Sequence, residues 1–235
     1  MMDSTTEPTP ISDIDLDATT PAPGRPWLVL LLVGLAALLL GLLAGYFMRG
    51  AATPAADSVD VGFARDMSLH HEQAVQMASL VYDRSADPAI RSLAFDILTT
   101  QQGQIGIMSG WLDAWAVPWT SAGPRMAWMG MPTEGLMPGM ATGEQMAALR
   151  AAQGKAADAL FLQLMIPHHQ GGVAMAADAA ERAAEEPVRL LAASMVEAQS
   201  LEIDYMQELL QAKGYEHMAD TLPEGPGADG ESHDH

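Results

Sequence analysis

The chain is 235 residues long, room for one domain of ordinary size plus additional segments. Its 30 acidic against 11 basic residues give a net charge of −19, which argues against nucleic-acid binding. There is no cysteine, which removes thiol chemistry and fits an oxidising exterior.

Residues 1–24 carry five carboxylates and no Lys or Arg, so residues 1–26 read as a solvated, disordered acidic segment. From Trp27 to Met48 the chain reads WLVLLLVGLAALLLGLLAGYFM, 22 residues without a charge, with aromatics at both ends. That length crosses a bilayer as a helix, and aromatic rings favour its interfaces. A signal peptide is the alternative, but its apolar core runs to roughly 7–15 residues, and this one is longer. The run GAATPAADS behind it keeps cleavage open; an uncleaved anchor followed by a linker at 49–56 is the expectation. Arg25 before the span, and Arg49 and Arg65 after it, are too few to set orientation by charge.

Beyond the linker the chain is alanine-rich with helical period, and it repeats. At an offset of 98, residues 63–78 and 161–176 share seven identities in sixteen, including both His-His pairs, His70-His71 and His168-His169. The offset also matches Arg91 with Arg189, Gln101 with Gln199, Met108 with Met206 and Leu112 with Leu210. The repeated unit reads as a helical hairpin, used twice: repeat 1 over 57–116 and repeat 2 over 142–215. Pro88 and Pro187 mark the hairpin turns, Gly214 a helix stop, and Thr142 with Gln145 a capping box. The spacing predicts helices over about 57–85, 87–116, 142–184 and 186–214. Between the repeats, residues 117–141 are too rich in Pro and Gly for helix and carry Met126, Met129, Met131, Met137 and Met140. These methionines read either as soft metal ligands or as a hydrophobic flap. Residues 216–235 hold six carboxylates and no Lys or Arg, a second disordered tail in which His217 is solvated. The expected fold is all-α: a four-helix bundle of two repeated hairpins with a long central connection, ferritin-like in architecture, preceded by one transmembrane helix.

On a helical projection, Phe63, Met67, His70, Ala74 and Met77 share one arc, and Phe161, Met165, His168, Gly172 and Met175 share its equivalent. His71 and His169 sit at the stripe's edge. Arg65, Glu72, Gln73 and Gln76 lie opposite. The partner helices place Gln101 and Gln104, or Gln199 and Glu202, among apolar neighbours that include Met108 and Met206. Buried polar groups need partners. In one reading each inward histidine bonds a Gln or Glu and methionine merely fills space. In the other, imidazole and thioether converge on a metal, with Gln101, Gln199 or Glu202 behind the ligands. Too few carboxylates are present for a di-iron bundle, and Glu202 alone lies on the right faces. Thioether with imidazole suits Cu(I), or Ag(I) as its mimic. Imidazole coordinates when neutral, and with an ordinary pKa of about 6.5 it should lose metal below roughly pH 6. Pro167 and the Gly171-Gly172 pair read either as a distortion that aims the second histidine pair or as sites of close packing.

FARDMSLHHEQAVQMA, FLQLMIPHHQGGVAMA and the two Gln-x-x-(Gln/Glu)-Ile-x-x-Met stretches resemble the domain-of-unknown-function 305 (DUF305) family over about residues 57–214. The resemblance implies a ferritin-like four-helix bundle, usually extracytoplasmic, and copper handling in some members. It carries a ligand role to Met67, His70, His71 and Met108, and to Met165, His168, His169 and Met206. The chain departs from the family pattern at Gln104, where Glu is usual, and at Gly172, where Ala is usual. The leading expectation is a membrane-anchored, extracytoplasmic protein that binds Cu(I) and buffers copper, without enzymatic activity. A purely structural or interaction bundle is the alternative, and a ferritin-like metallo-oxidase is a third. The expected partners are the membrane and the metal ion.

Overall fold

The computed structural model describes residues 26–47 and 53–215. The acidic segments expected at 1–26 and 216–235, with His217, lie outside the described residues except for Pro26, which opens the first helix. Two units are distinguished, divided after Ala52. The first contains α1 (Pro26–Phe47), whose 20 residues from Pro26 to Gly45 are long and apolar enough to cross a membrane.

The second unit is built on four long helices: α2 (Val59–Tyr82), α3 (Pro88–Ala114), α5 (Gly154–Arg182) and α6 (Glu186–Lys213). Ser58 caps α2 by accepting the Val61 N–H, and Asp87 caps α3 at Ala89 with Pro88 in its first turn. The first turn of α6 is held differently. Its cap residue Glu185 offers no side-chain bond; Asp60, buried on α2, accepts from the backbone N–H groups of Ala184 and Glu185. One helix start is thereby tied to the opposite hairpin.

The helix expected over 142–184 is in fact two. The short α4 (Gly143–Ala151) begins with the Thr142–Gln145 capping box, and α5 follows after a break. Ala152 and Gln153 are extended, and Gly154 takes a left-handed φ of 55°. A glycine tolerates that conformation at no steric cost. The break lets α4 lay Met146 and Leu149 on the core before the chain turns into α5. Among the described residues no strand forms; a single bridge joins Arg125 to Thr133.

α2 packs along α3, α5 along α6, and the hairpins meet through α2 and α5. The core falls into two apolar clusters. One gathers Met77, Ile90, Leu93, Ile97, Phe161, Met165 and Met206; the other gathers Val61, Phe63, Met67, Met108, Leu112, Met175, Val188 and Met195. Along each long helix the cluster changes at a polar residue: at His70-His71 on α2, Gln101 on α3, His168-His169 on α5 and Gln199 on α6. A polar layer therefore cuts the bundle across its middle.

Candidate metal centre

All four histidines are buried, at 1% exposure or less. For His70 and His168 this follows from helical phase. His71 and His169, which the phase puts at the edge of the stripe, are enclosed because each faces its own hairpin partner. The rings of His70 and His168 meet across the α2–α5 contact with centroids 3.9 Å apart.

Each histidine donates through Nε2 to an oxygen. His70 bonds the Pro138 carbonyl at 3.0 Å, and His168 bonds the His70 carbonyl at 3.1 Å. His71 bonds Gln104 Oε1 at 2.8 Å, and His169 bonds Glu202 Oε2 at 2.7 Å. Since carbonyl and carboxylate oxygens only accept, the proton sits on Nε2 and Nδ1 carries a lone pair. All four Nδ1 atoms are buried without a hydrogen-bond partner. Burial also holds His70, His71 and His168 neutral. It pushes the His70 pKa down to about 4 and that of His71 to about 3, and it drives His168 well below its ordinary range. The weakening of metal binding expected below pH 6 took the ordinary histidine pKa, and burial moves His70 and His71 away from that value. In the folded protein, protons compete at His70 and His71 only in far more acid solution.

Gln104 and Glu202, rather than Gln101 and Gln199, stand behind the histidines. Gln101 leaves Oε1 unpartnered, and Gln199 leaves both amide atoms so. The equal spacing of 33 residues in His71–Gln104 and His169–Glu202 was a usable signal. Choosing between residues one turn apart on α3 and α6 needs the register of each helix against its neighbour, which periodicity does not contain.

Met67, Met108, Met165 and Met206 are all fully buried. Met67 and Met108 share one apolar cluster, Met165 and Met206 the other. The four methionines thus divide two and two, on opposite sides of the histidine layer. Among the described residues no three His, Asp or Glu side chains are drawn together tightly enough to hold a metal ion by themselves. The donors that fit a metal here are lone-pair imidazole nitrogen and thioether sulfur, a soft set.

The methionine-rich connection covers this layer. Met126 and Met137 are buried in the cluster with Met67, Met129 and Met140 pack against it, and Met131 is exposed. Three residues of α2 pin the segment. Asp66 accepts from Met126 N (2.8 Å) and Trp128 Nε1 (2.9 Å), His70 bonds Pro138, and Gln73 exchanges two bonds with Ala141. Gln73, expected opposite the apolar stripe, is three residues from His70 and on the same side of α2, where it is half-buried and serves as an anchor. Pro138-Gly139 lies directly on α5: a Cβ on Gly171 would sit 2.0 Å from the Pro138 carbonyl oxygen. The two glycines after the second histidine pair therefore serve close packing, Gly171 against this segment and Gly172 against the Gln199 amide. Between the segment and α5 an open cleft of about 620 Å³ is lined by Met137, Gly139, Met140, Gln145 and Pro167.

A family model described as domain of unknown function (DUF305) matches residues 60–210. A crystal structure of a DUF305 protein of Streptomyces coelicolor, predicted to be secreted, is 51% identical. It aligns with a TM-score of 0.66 over 68% of this chain and 96% of its own. A DUF305 fragment from Deinococcus radiodurans is 32% identical with a TM-score of 0.55, over 66% of this chain and 96% of its own. CopM in its Cu(II)-bound form is 27% identical with a TM-score of 0.50, over 66% of this chain and 97% of its own. A stretch of 54 residues is 37% identical to the uncharacterized protein L153 of Acanthamoeba polyphaga mimivirus. That match spans 23% of this chain and only 36% of the viral protein.

Proposed function

The chain belongs to the DUF305 family, and from that footing we propose that it is a membrane-anchored, extracytoplasmic copper-binding protein that takes up Cu(I), with Ag(I) as its mimic, and buffers it. Binding, not catalysis, is the activity we propose. One observation carries the reading: four buried imidazoles, each fixed through Nε2, each with an unpartnered Nδ1 lone pair. An unsatisfied buried polar atom costs about 1–3 kcal/mol. A purely structural seam would be expected to satisfy both ring nitrogens. An imidazole whose other nitrogen is held by a carbonyl or carboxylate is the usual form of a metal-ligating histidine.

In this reading Met67, His70, His71 and Met108 hold one ion, and Met165, His168, His169 and Met206 another. The metal supplies a soft Lewis acid for these lone pairs. The protein supplies orientation through Pro138, the His70 carbonyl, Gln104 and Glu202, and a dry shell through the two apolar clusters. The likeness to CopM, solved with Cu(II), supports copper as the ion. Anchoring through α1 is supported by its length and apolarity.

Anaerobic titration of the full chain in detergent with Cu(I) tests the proposal. The parent should bind tightly, and the double variant Met67→Leu, Met165→Leu should bind at least tenfold more weakly. Leucine nearly keeps volume and apolarity, so the fold should survive. Undiminished binding by the variant would make the helix methionines packing alone; no binding by the parent would remove copper altogether.

A further inference from the structure

Each half-site of the proposed function joins two histidines to two helix methionines, and the two differ in the group behind one histidine. His71 donates to the neutral amide oxygen of Gln104 at 2.8 Å, while His169 donates to the carboxylate of Glu202 at 2.7 Å. Both histidines are fully buried and both leave Nδ1 without a partner. Met67 and Met108 lie in one apolar cluster and Met165 and Met206 in the other, and the methionine-rich connection adds Met126 and Met137 to the first.

A univalent soft cation entering either half-site becomes a charge in an apolar interior. There an uncompensated ion is costly and a nearby opposite charge is strongly felt. Glu202 supplies that opposite charge through one imidazole; with its side chain 22% exposed, it is also shielded from bulk water. It polarises the Nε2–H bond, pushes electron density towards Nδ1 and makes that nitrogen the better donor. Gln104 does neither to the same extent. We infer that the two half-sites are functionally inequivalent: the Glu202-backed half-site at His168-His169 is the high-affinity, first-filled site, and the Gln104-backed half-site at His70-His71 fills second. Glu202 is a positioning and tuning residue that acts through His169. The inference rests on the copper-binding reading above and deepens it.

An outer carboxylate behind a ligating histidine is worth about 10–100-fold in metal affinity. Ag(I), which is redox-inert, is the probe, titrated into the full chain in detergent. Calorimetry counts the binding events, and proton–nitrogen NMR of the imidazoles identifies which Nδ1 responds. The parent should bind in two steps, the His169 Nδ1 signal shifting first and that of His71 only at tenfold or more higher free Ag(I). Glu202→Gln should weaken the first step by about 10–100-fold and merge it with the second. Gln104→Glu should strengthen the second step by a similar factor. Because that is a gain, loss of folding cannot imitate it, and melting of the apo variants controls for the loss in Glu202→Gln. If His71 and His169 respond together in the parent and neither substitution separates or merges the steps, the inequivalence is wrong while the copper reading stands. If the parent binds no Ag(I), the reading beneath it fails as well.

Discussion

The buried imidazoles make stability a function of pH. Unfolded, each titrates near 6.5. Folded, His70 and His71 are held at about 4 and about 3, and His168 is lowered too. Between those values the unfolded chain binds protons that the folded chain refuses, so acid favours unfolding. Above about pH 7 these histidines do not tilt the balance. As pH falls through 6.5 towards 4, stability should drop by up to about 1.4 kcal/mol per pH unit for each histidine. Denaturant unfolding of the metal-free protein from pH 7.5 down to 4.5 reads this directly; a flat profile would mean that the imidazoles are hydrated. The metal-loaded protein should hold its ions well below pH 6, until the fold itself gives way, with release followed by a colorimetric chelator.

At the scale of elements, the connection between α3 and α4 is fastened to α2 by residues 66, 70 and 73, one side of that helix. Asp66 is a fastening that involves none of the eight helix residues proposed as ligands. Asp66→Ala leaves the Trp128 indole N–H and the Met126 amide unsatisfied, at a cost of about 1–3 kcal/mol. Amide exchange should accelerate over residues 126–131 before it does in α5; unchanged protection there would show that packing of Met126 and Trp128 suffices. The glycines give a second contrast. Gly171→Ala should destabilise by on the order of 1–3 kcal/mol, since its Cβ would sit 2.0 Å from the Pro138 oxygen. Gly103→Ala and Gly110→Ala, exposed on α3 with nothing within 4 Å, should instead stabilise by about 0.5–1 kcal/mol. Urea unfolding of the three variants tests the difference in sign.

At the scale of the whole molecule, the polar layer lies between two apolar clusters, and its four histidines and the methionines on either side are fully enclosed. Each hairpin contributes to both clusters, and Asp60 of α2 ties the start of α6, so neither hairpin has a complete core alone. The proposed topology puts residues 57–235 outside the cytoplasm, tethered by α1. Protease added to intact cells should release the domain. A protected domain would reverse the orientation, and a mature N-terminus near Ala56 would make α1 a cleaved signal.

What the sequence determined by itself was phase and chemistry. Apolar residues at helical spacing put His70 and His168 inside, Thr142 and Gln145 announced a helix start, and Gly214 marked an end, because these depend on neighbours within one or two turns. Membership of the DUF305 family was legible in the two His-His motifs for the same reason. Tertiary structure decided everything that depends on the register of one helix against another. It put Gln104 rather than Gln101 behind His71, chose between Gln199 and Glu202 behind His169, and enclosed both histidines. It assigned Met67 and Met165 to opposite sides of the polar layer, because α2 and α5 cross at their histidines with the clusters exchanged. It also broke the third helix at Gly154, where the left-handed turn lets α4 reach the core that a continuous helix would miss. A sequence carries the period of each helix; the rotation and offset between helices arise only when side chains from both compete for the same space.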